Sequence, residues 1–275
     1  MANIKPEYGL VLSGGGARGL AHIGVIAALE KNGISPGLIS GSSMGAIVGA
    51  FYAAGVSPEE MINIARNGKL HSLFNWSFPK HGGMLSLNII RQVLQQYIPE
   101  DSFESLRKKL FIGVSNISSG RHEVFSRGEL FRAVIASASI PIVFEPQLIE
   151  GQTYVDGGLF NDLPVEPIMG KCKKIIASHV NYNGPEPELN SIRDIAERVY
   201  RLAIYQHVQK NFSKCDYIID PPELREHGIF DFKHIDRLFE IGYNATELLI
   251  EQMKGPVKEK PIIIREINRH NKTSK

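Results

Sequence analysis

The stretch Tyr8-Gly9-Leu10-Val11-Leu12-Ser13-Gly14-Gly15-Gly16-Ala17-Arg18-Gly19-Leu20 passes from a short apolar run of β-formers, through consecutive glycines, into a helical apolar pattern. That pattern carries on to about Asn32 and stops at Gly33, so strand, tight loop and helix follow one another without a break. A second unit of the same kind comes next: a strand at Leu38 to Ser40, then an apolar helix that starts beside Ser43 and ends at Gly55. A third helix opens at Ser57-Pro58-Glu59-Glu60, where Ser caps, Pro takes the first helical position and Glu closes a capping box. Alternating strands and helices imply a parallel sheet covered by helices.

Further along, helix is expected at Leu87 to Tyr97, a strand pair at Leu110 to Ser115 and His122 to Phe125, and a helix from Gly128 to Ser137. A hairpin over Pro146 to Val155 leads into Asp156-Gly157-Gly158, and Lys174 to His179 reads as a buried strand. Long helices at about 191–214 and 233–254 then cover a face of the sheet. The expectation is one α/β domain over residues 1–253, three-layered α/β/α, with a mixed but mainly parallel central sheet. Residues 254–275 are expected to form a basic, flexible tail. Between Lys69 and Leu85 the periodicity breaks down around Phe74, Trp76 and Phe78, which suggests an irregular insertion able to act as a lid.

Composition excludes more than it assigns. The 275 residues include 31 basic and 29 acidic side chains, for a formal charge of +2, too small a field to imply a nucleic-acid partner. Cys172 and Cys215 match no metal-ligand spacing and no disulfide framework, which fits a reducing compartment. The first residues contain no apolar run resembling a signal peptide, and the most apolar stretch, 46–56, is far short of a bilayer span. A cytoplasmic protein with at most peripheral membrane contact is therefore expected, without metal or cofactor.

Gly41-Ser42-Ser43-Met44-Gly45 fits G-x-S-x-G between an apolar strand and an apolar helix, the context that makes the motif a nucleophile elbow. There Ser43 is held in a strained turn, and Gly41 and Gly45 remove side chains that would collide with the neighbouring backbone. The helix N-terminus also favours developing negative charge at Ser43. The glycine run Gly14 to Gly19 aims backbone N–H groups at a point in front of a helix, an anion nest suited to a tetrahedral oxyanion. The same glycines satisfy the dinucleotide pattern G-x-G-x-x-G, but residues 31–58 contain neither Asp nor Glu to hold ribose hydroxyls. A serine nucleophile needs a base, and either a histidine or Asp156 can serve; taken alone, Asp-Gly-Gly is an ordinary turn.

The ordered blocks Gly14-Gly15-Gly16-Ala17-Arg18-Gly19, Gly41-Ser42-Ser43-Met44-Gly45 and Asp156-Gly157-Gly158, with the intervening Ala136 to Pro146 segment, resemble the patatin-like phospholipases over Tyr8 to Val180. The resemblance implies a Ser43–Asp156 dyad without histidine and an oxyanion hole from Gly14, Gly15 and Gly16. Arg18, Gly41, Gly45, Gly157 and Gly158 would support the site or its substrate. Many relatives carry Thr where this chain has Ser42. The implied activity is hydrolysis of carboxylic esters of lipids, of phospholipase A or lysophospholipase type. The competing readings are an α/β-hydrolase esterase or thioesterase whose triad is completed by His179, His207 or His234, and a non-catalytic lipid-binding or nucleotide-binding protein. The helix from Ser191 carries Ile192, Ile195, Val199, Leu202 and Tyr205 at helical spacing; packing on the sheet is the expected role, with a second subunit or a membrane as alternatives.

Overall fold

The computed structural model describes residues 5–67, 87–184, 189–190, 192–255 and 261–265. Strand β1 (Tyr8–Leu12) lies inside the sheet, with β2 (Leu38–Ser42) and β7 (Lys174–Ser178) as its two parallel neighbours. β3 (Lys109–Asn116) runs parallel beyond β2, and β8 (Tyr217–Ile219) and β9 (Ile262–Ile264) run parallel beyond β7. The antiparallel members are β4 (Arg121–Phe125) and the hairpin of β5 (Gln147–Ile149) with β6 (Gln152–Val155), all on the β3 side. The chain thus leaves β1 first for β2 and later reaches β7 on the opposite side. Such a reversal of strand order opens a crevice at the carboxyl ends of the strands, where α/β folds bind ligands.

Both faces of the sheet are covered. Leu10, Leu12, Ile39, Leu110, Ile112, Ile176 and Ile219 point into one core, and Val11, Phe111, Ile175, Ala177 and Ile218 into the other. The first core is closed by α1 (Ala21–Lys31), α2 (Met44–Ala54), α3 (Pro58–Arg66), α4 (Asn88–Tyr97), α5 (Leu130–Ser137) and, beyond the short α6 (Gly158–Asn161) and α7 (Ile192–Phe212), by α8 (Ile235–Met253). The second core takes Val208 and Phe212 from the end of α7. In α1 and α8, Gly24 and Gly242 bring the two backbones together: a Cβ on either would collide with a carbonyl oxygen of the other helix.

The punctuation behaves as its chemistry dictates. Ser57 Oγ accepts a hydrogen bond from Glu60 N at 3.1 Å to cap α3, with Pro58 in the first turn. Two expectations are corrected, and one strand is added to them. β8 was not expected: Tyr217–Ile219 is too short to show a period. Residues of the tail expected to be flexible include Ile262–Ile264, which form β9, because three β-branched residues complete the ladder that β8 would otherwise leave open. The apolar stripe of α7 packs only at its far end: Ile192, Ile195, Val199 and Leu202 are 87, 47, 60 and 41% exposed, while Tyr205 lies partly buried against the second core. The 69–85 insertion, with its expected lid, lies outside the described residues.

Candidate active site

Ser43 follows β2 directly and caps α2, with φ 53° and ψ −123°, a conformation that side-chain-bearing residues avoid. The elbow is locked from several directions. A Cβ on Gly41 would collide with the Gly45 carbonyl, and one on Gly45 with the Leu12 and Ser13 carbonyls, so the turn lies hard against the end of β1. Ser43 N donates to Ser137 Oγ at 2.8 Å, and Ser137 Oγ donates in turn to Gly113 O at 2.7 Å, tying the elbow to α5 and β3.

Asp156 leaves β6 and faces the elbow. Ser43 Oγ donates to Asp156 Oδ2 at 2.5 Å, and Gly158 N donates to Asp156 Oδ1 at 2.8 Å. Both side chains sit in residues less than 10% exposed. Burial pushes the Asp156 carboxyl up to about 7, more than its bonds from Ser43 and Gly158 pull it down, and nearby Asp162 raises it further. Gly157 belongs here for steric reasons, since a Cβ would strike the Gly113 carbonyl. The Asp156 and Gly157 N–H groups are anchored on Ser139 O and Ser137 O at 2.8 and 3.1 Å.

The glycine loop after β1 forms a 3₁₀ turn, Gly16–Leu20, before α1 begins. Gly15 and Gly16 have φ 148° and 56°, and their N–H groups have no protein partner among the described residues. Gly14 differs from the expectation that it donates to an oxyanion. Its N–H already points at Asp162, 3.1 Å from Oδ1 and 3.2 Å from the backbone oxygen. Asn181 Nδ2 spans Gly14 O at 3.1 Å and Asp162 Oδ2 at 3.0 Å, so Gly14 is held through both of its backbone polar groups. Arg18 is buried; its Nε donates to His227 O at 2.6 Å and its guanidinium reaches Asn181 Oδ1 at 3.4 Å. It braces the loop.

In front of these groups lies a cavity of about 860 Å³. Ser43, Asp156, Gly15 and Gly16 line one end, and apolar walls come from Ile140 to Val143, from Ile204 and Val208 of α7, and from Ile229 and Phe230. Volume and lining suit an acyl chain with a few polar groups at its ester end.

A family profile described as patatin-like phospholipase matches residues 10–169. The chain belongs to the patatin-like phospholipase family. It is 26% identical over 281 residues to lysophospholipase nte1 of Aspergillus fumigatus, an alignment covering 90% of this chain and 18% of that protein. It is 34% identical over 184 residues to an uncharacterized NTE family protein of Mycobacterium bovis, covering 66% and 51% of the two chains. The fold also resembles that of VipD from Legionella pneumophila, with a TM-score of 0.53, 15% identity, and 90% and 67% of the two chains covered. ExoU in its complex with SpcU from Pseudomonas aeruginosa gives 0.51 at 19% identity, with 90% and 52% covered.

Within this patatin-like domain no described histidine bonds to Ser43 or Asp156. His179 is fully buried and gives its Nδ1 to Asp220 Oδ1 at 2.7 Å; His207 is exposed on α7; His234 pairs with Asp231 at 2.8 Å. His22, absent from the sequence reading, bridges Ser178 Oγ and Ser13 O at 2.8 and 2.9 Å below the glycine loop, and burial lowers its pKa to about 4. Ser137, Asp162 and Asn181 were missed as well. Ser137 lies in the Ala-Ser-Ala-Ser segment, and Asp162 closes the block that Asp156 opens.

Proposed function

We propose that this domain hydrolyses carboxylic esters of lipids, with Ser43 as nucleophile and Asp156 as its base. The observation that carries the reading is the direct Ser43 Oγ to Asp156 Oδ2 hydrogen bond of 2.5 Å at a strained elbow facing an apolar cavity. The attacking oxygen passes its proton to Asp156 as it bonds to the ester carbonyl carbon. The carbonyl oxygen, now an anion, takes the open N–H groups of Gly15 and Gly16. Asp156 then returns the proton to the departing alcohol, and water repeats the sequence to release the acid.

An ordinary aspartate is too weak a base for a hydroxyl, but a carboxyl raised to about 7 is matched to work near neutrality. The same burial that disfavours its charge makes it eager for the proton. Gly14 and Asp162 take a supporting role in this reading, fixing the donor loop. Lysophospholipids or phospholipids are the substrates the family and the cavity favour, although the chain spans only 18% of the length of the fungal lysophospholipase it resembles.

No helix among the described residues is long and apolar enough to cross a membrane. The reading extends to a cytoplasmic domain that meets lipid at a surface. Free buried Cys172 and Cys215 support the first part, and the exposed Ile192, Ile195, Val199 and Leu202 stripe supports the second. The test is labelling with a fluorophosphonate. The parent should form one covalent adduct, and Ser43→Ala none; an adduct retained in Ser43→Ala would remove Ser43 from the role.

A further inference from the structure

Between the 3₁₀ turn Pro222–Glu226 and α8 runs His227-Gly228-Ile229-Phe230-Asp231-Phe232-Lys233-His234. The loop folds so that His227, Asp231 and His234 converge, with one ligand-capable atom of each within 4.8 Å of the others. Asp231 Oδ2 lies 2.8 Å from His234 Nδ1 and 3.6 Å from His227 Nδ1. The imidazole rings are 5.2 Å apart and tilted by 54°. The His227 side chain is only 11% exposed, and its buried Nδ1 has no hydrogen-bond partner among the described residues, Asp231 Oδ2 at 3.6 Å lying just out of reach. An imidazole nitrogen left in that state costs free energy unless something binds it.

We propose that His227, Asp231 and His234 form a binding site for a divalent cation of the zinc type. Two imidazoles and one carboxylate make a borderline donor set that favours Zn²⁺ over Mg²⁺ or Ca²⁺, which prefer oxygen ligands, with water as the fourth ligand. Zinc bonds of about 2.0–2.2 Å in a tetrahedron set ligand atoms roughly 3.3 Å apart. The His227 to Asp231 separation of 3.6 Å is close to that spacing. The shorter His234 to Asp231 contact is a hydrogen bond that opens slightly as the Nδ1 proton leaves and the cation takes its place.

The position gives the cation a structural task. His227 O accepts Arg18 Nε at 2.6 Å, and Ile229 O accepts Ala17 N at 2.8 Å, so this loop grips the glycine loop directly. Ile229 and Phe230, between the ligands, line the cavity, while His227, Asp231 and His234 do not. A bound cation therefore stiffens a wall of the cavity and the backing of the glycine loop without touching a reacting ester.

The test is calorimetric titration of the untagged full chain, stripped with chelator and dialysed, with ZnCl₂, alongside thermal melts. The parent should bind one equivalent, and its Tm should rise by roughly 5 °C or more at a hundredfold excess over Kd, with no response to MgCl₂. His234 is 55% exposed, so His234→Ala should fold normally, and losing this ligand should weaken binding at least about tenfold. His227→Gln should do the same. Absence of zinc binding by the parent would overturn the site, as would unchanged affinity in both folded variants, which would place the ion elsewhere.

Discussion

Two buried aspartates at strand ends, Asp156 after β6 and Asp220 after β8, are 4% and 0% exposed and yet are partnered in opposite ways. Asp156 receives a serine hydroxyl and one backbone N–H, with no cation beside it among the described residues. Asp220 receives His179 Nδ1 at 2.7 Å and Arg265 Nε at 3.0 Å, and its own N–H is spent on Ile264 O. The second arrangement ties β7, β8 and the end of β9 together. The first leaves a carboxyl whose charge is poorly stabilised and which therefore wants a proton. Residue type and burial are shared, so under the proposed mechanism it is the partners that suit Asp156 to the role of base and Asp220 to that of strut.

Activity should separate the two aspartates. Asp156→Asn should lower hydrolysis of a short-chain nitrophenyl ester by at least about 10³-fold, since the amide keeps the turn but cannot take the proton. Asp220→Asn should leave the rate of the folded protein nearly unchanged and instead lower stability in denaturant by about 3 kcal/mol, the scale for breaking a buried pair. A folded Asp220→Asn protein without activity would erase the distinction.

The next expectation concerns stability and carries the opposite sign. Because folding raises the Asp156 pKa from 3.8 to about 7, the native state binds more protons than the unfolded one between those values. Stability from this residue is intact below the lower value and falls as pH rises towards 7, by an amount on the order of a few kcal/mol. Asp156→Asn should consequently melt higher than the parent at pH 8, with the gap shrinking as pH drops from 7 towards 4. An equal or lower Tm at pH 8 would mean that the parent's carboxylate is better solvated than its burial implies. The smallest effect is expected at Ser137→Ala, which removes the acceptor of Ser43 N. The ester hydrolysis rate should fall by about tenfold with little change in KM, because the elbow loosens without losing a reacting group.

The sequence made the elbow readable because its demands are local. Gly41, Ser43 and Gly45 are fixed by collisions within one turn and with β1, and a pentapeptide between strand and helix carries that information. Asp156 needed the resemblance, because Asp-Gly-Gly alone is an ordinary turn. Gly14's true partner was hidden by distance: Asp162 is 148 positions away, and nothing in the glycine run shows that one N–H is already taken. Short elements failed for a different reason. Tyr217–Ile219 and Ile262–Ile264 hold three residues each, too few for a period, and are strands because the first adds to β7 and the second adds to the first. The exposed stripe of α7 has the spacing of a packed helix, so pattern alone could not tell a core face from an open one.

Whether a carboxylate and no histidine takes the Ser43 proton is decided by the pH dependence of kcat/KM in the parent and in His179→Ala, with circular dichroism confirming the fold. His179 lines the same cavity but gives its Nδ1 to Asp220. Activity should rise with pH through an apparent pKa near 7 as Asp156 ionises, and His179→Ala should keep both that limb and most of the rate. A folded His179→Ala protein that has lost its activity would contradict the dyad and make His179 the base.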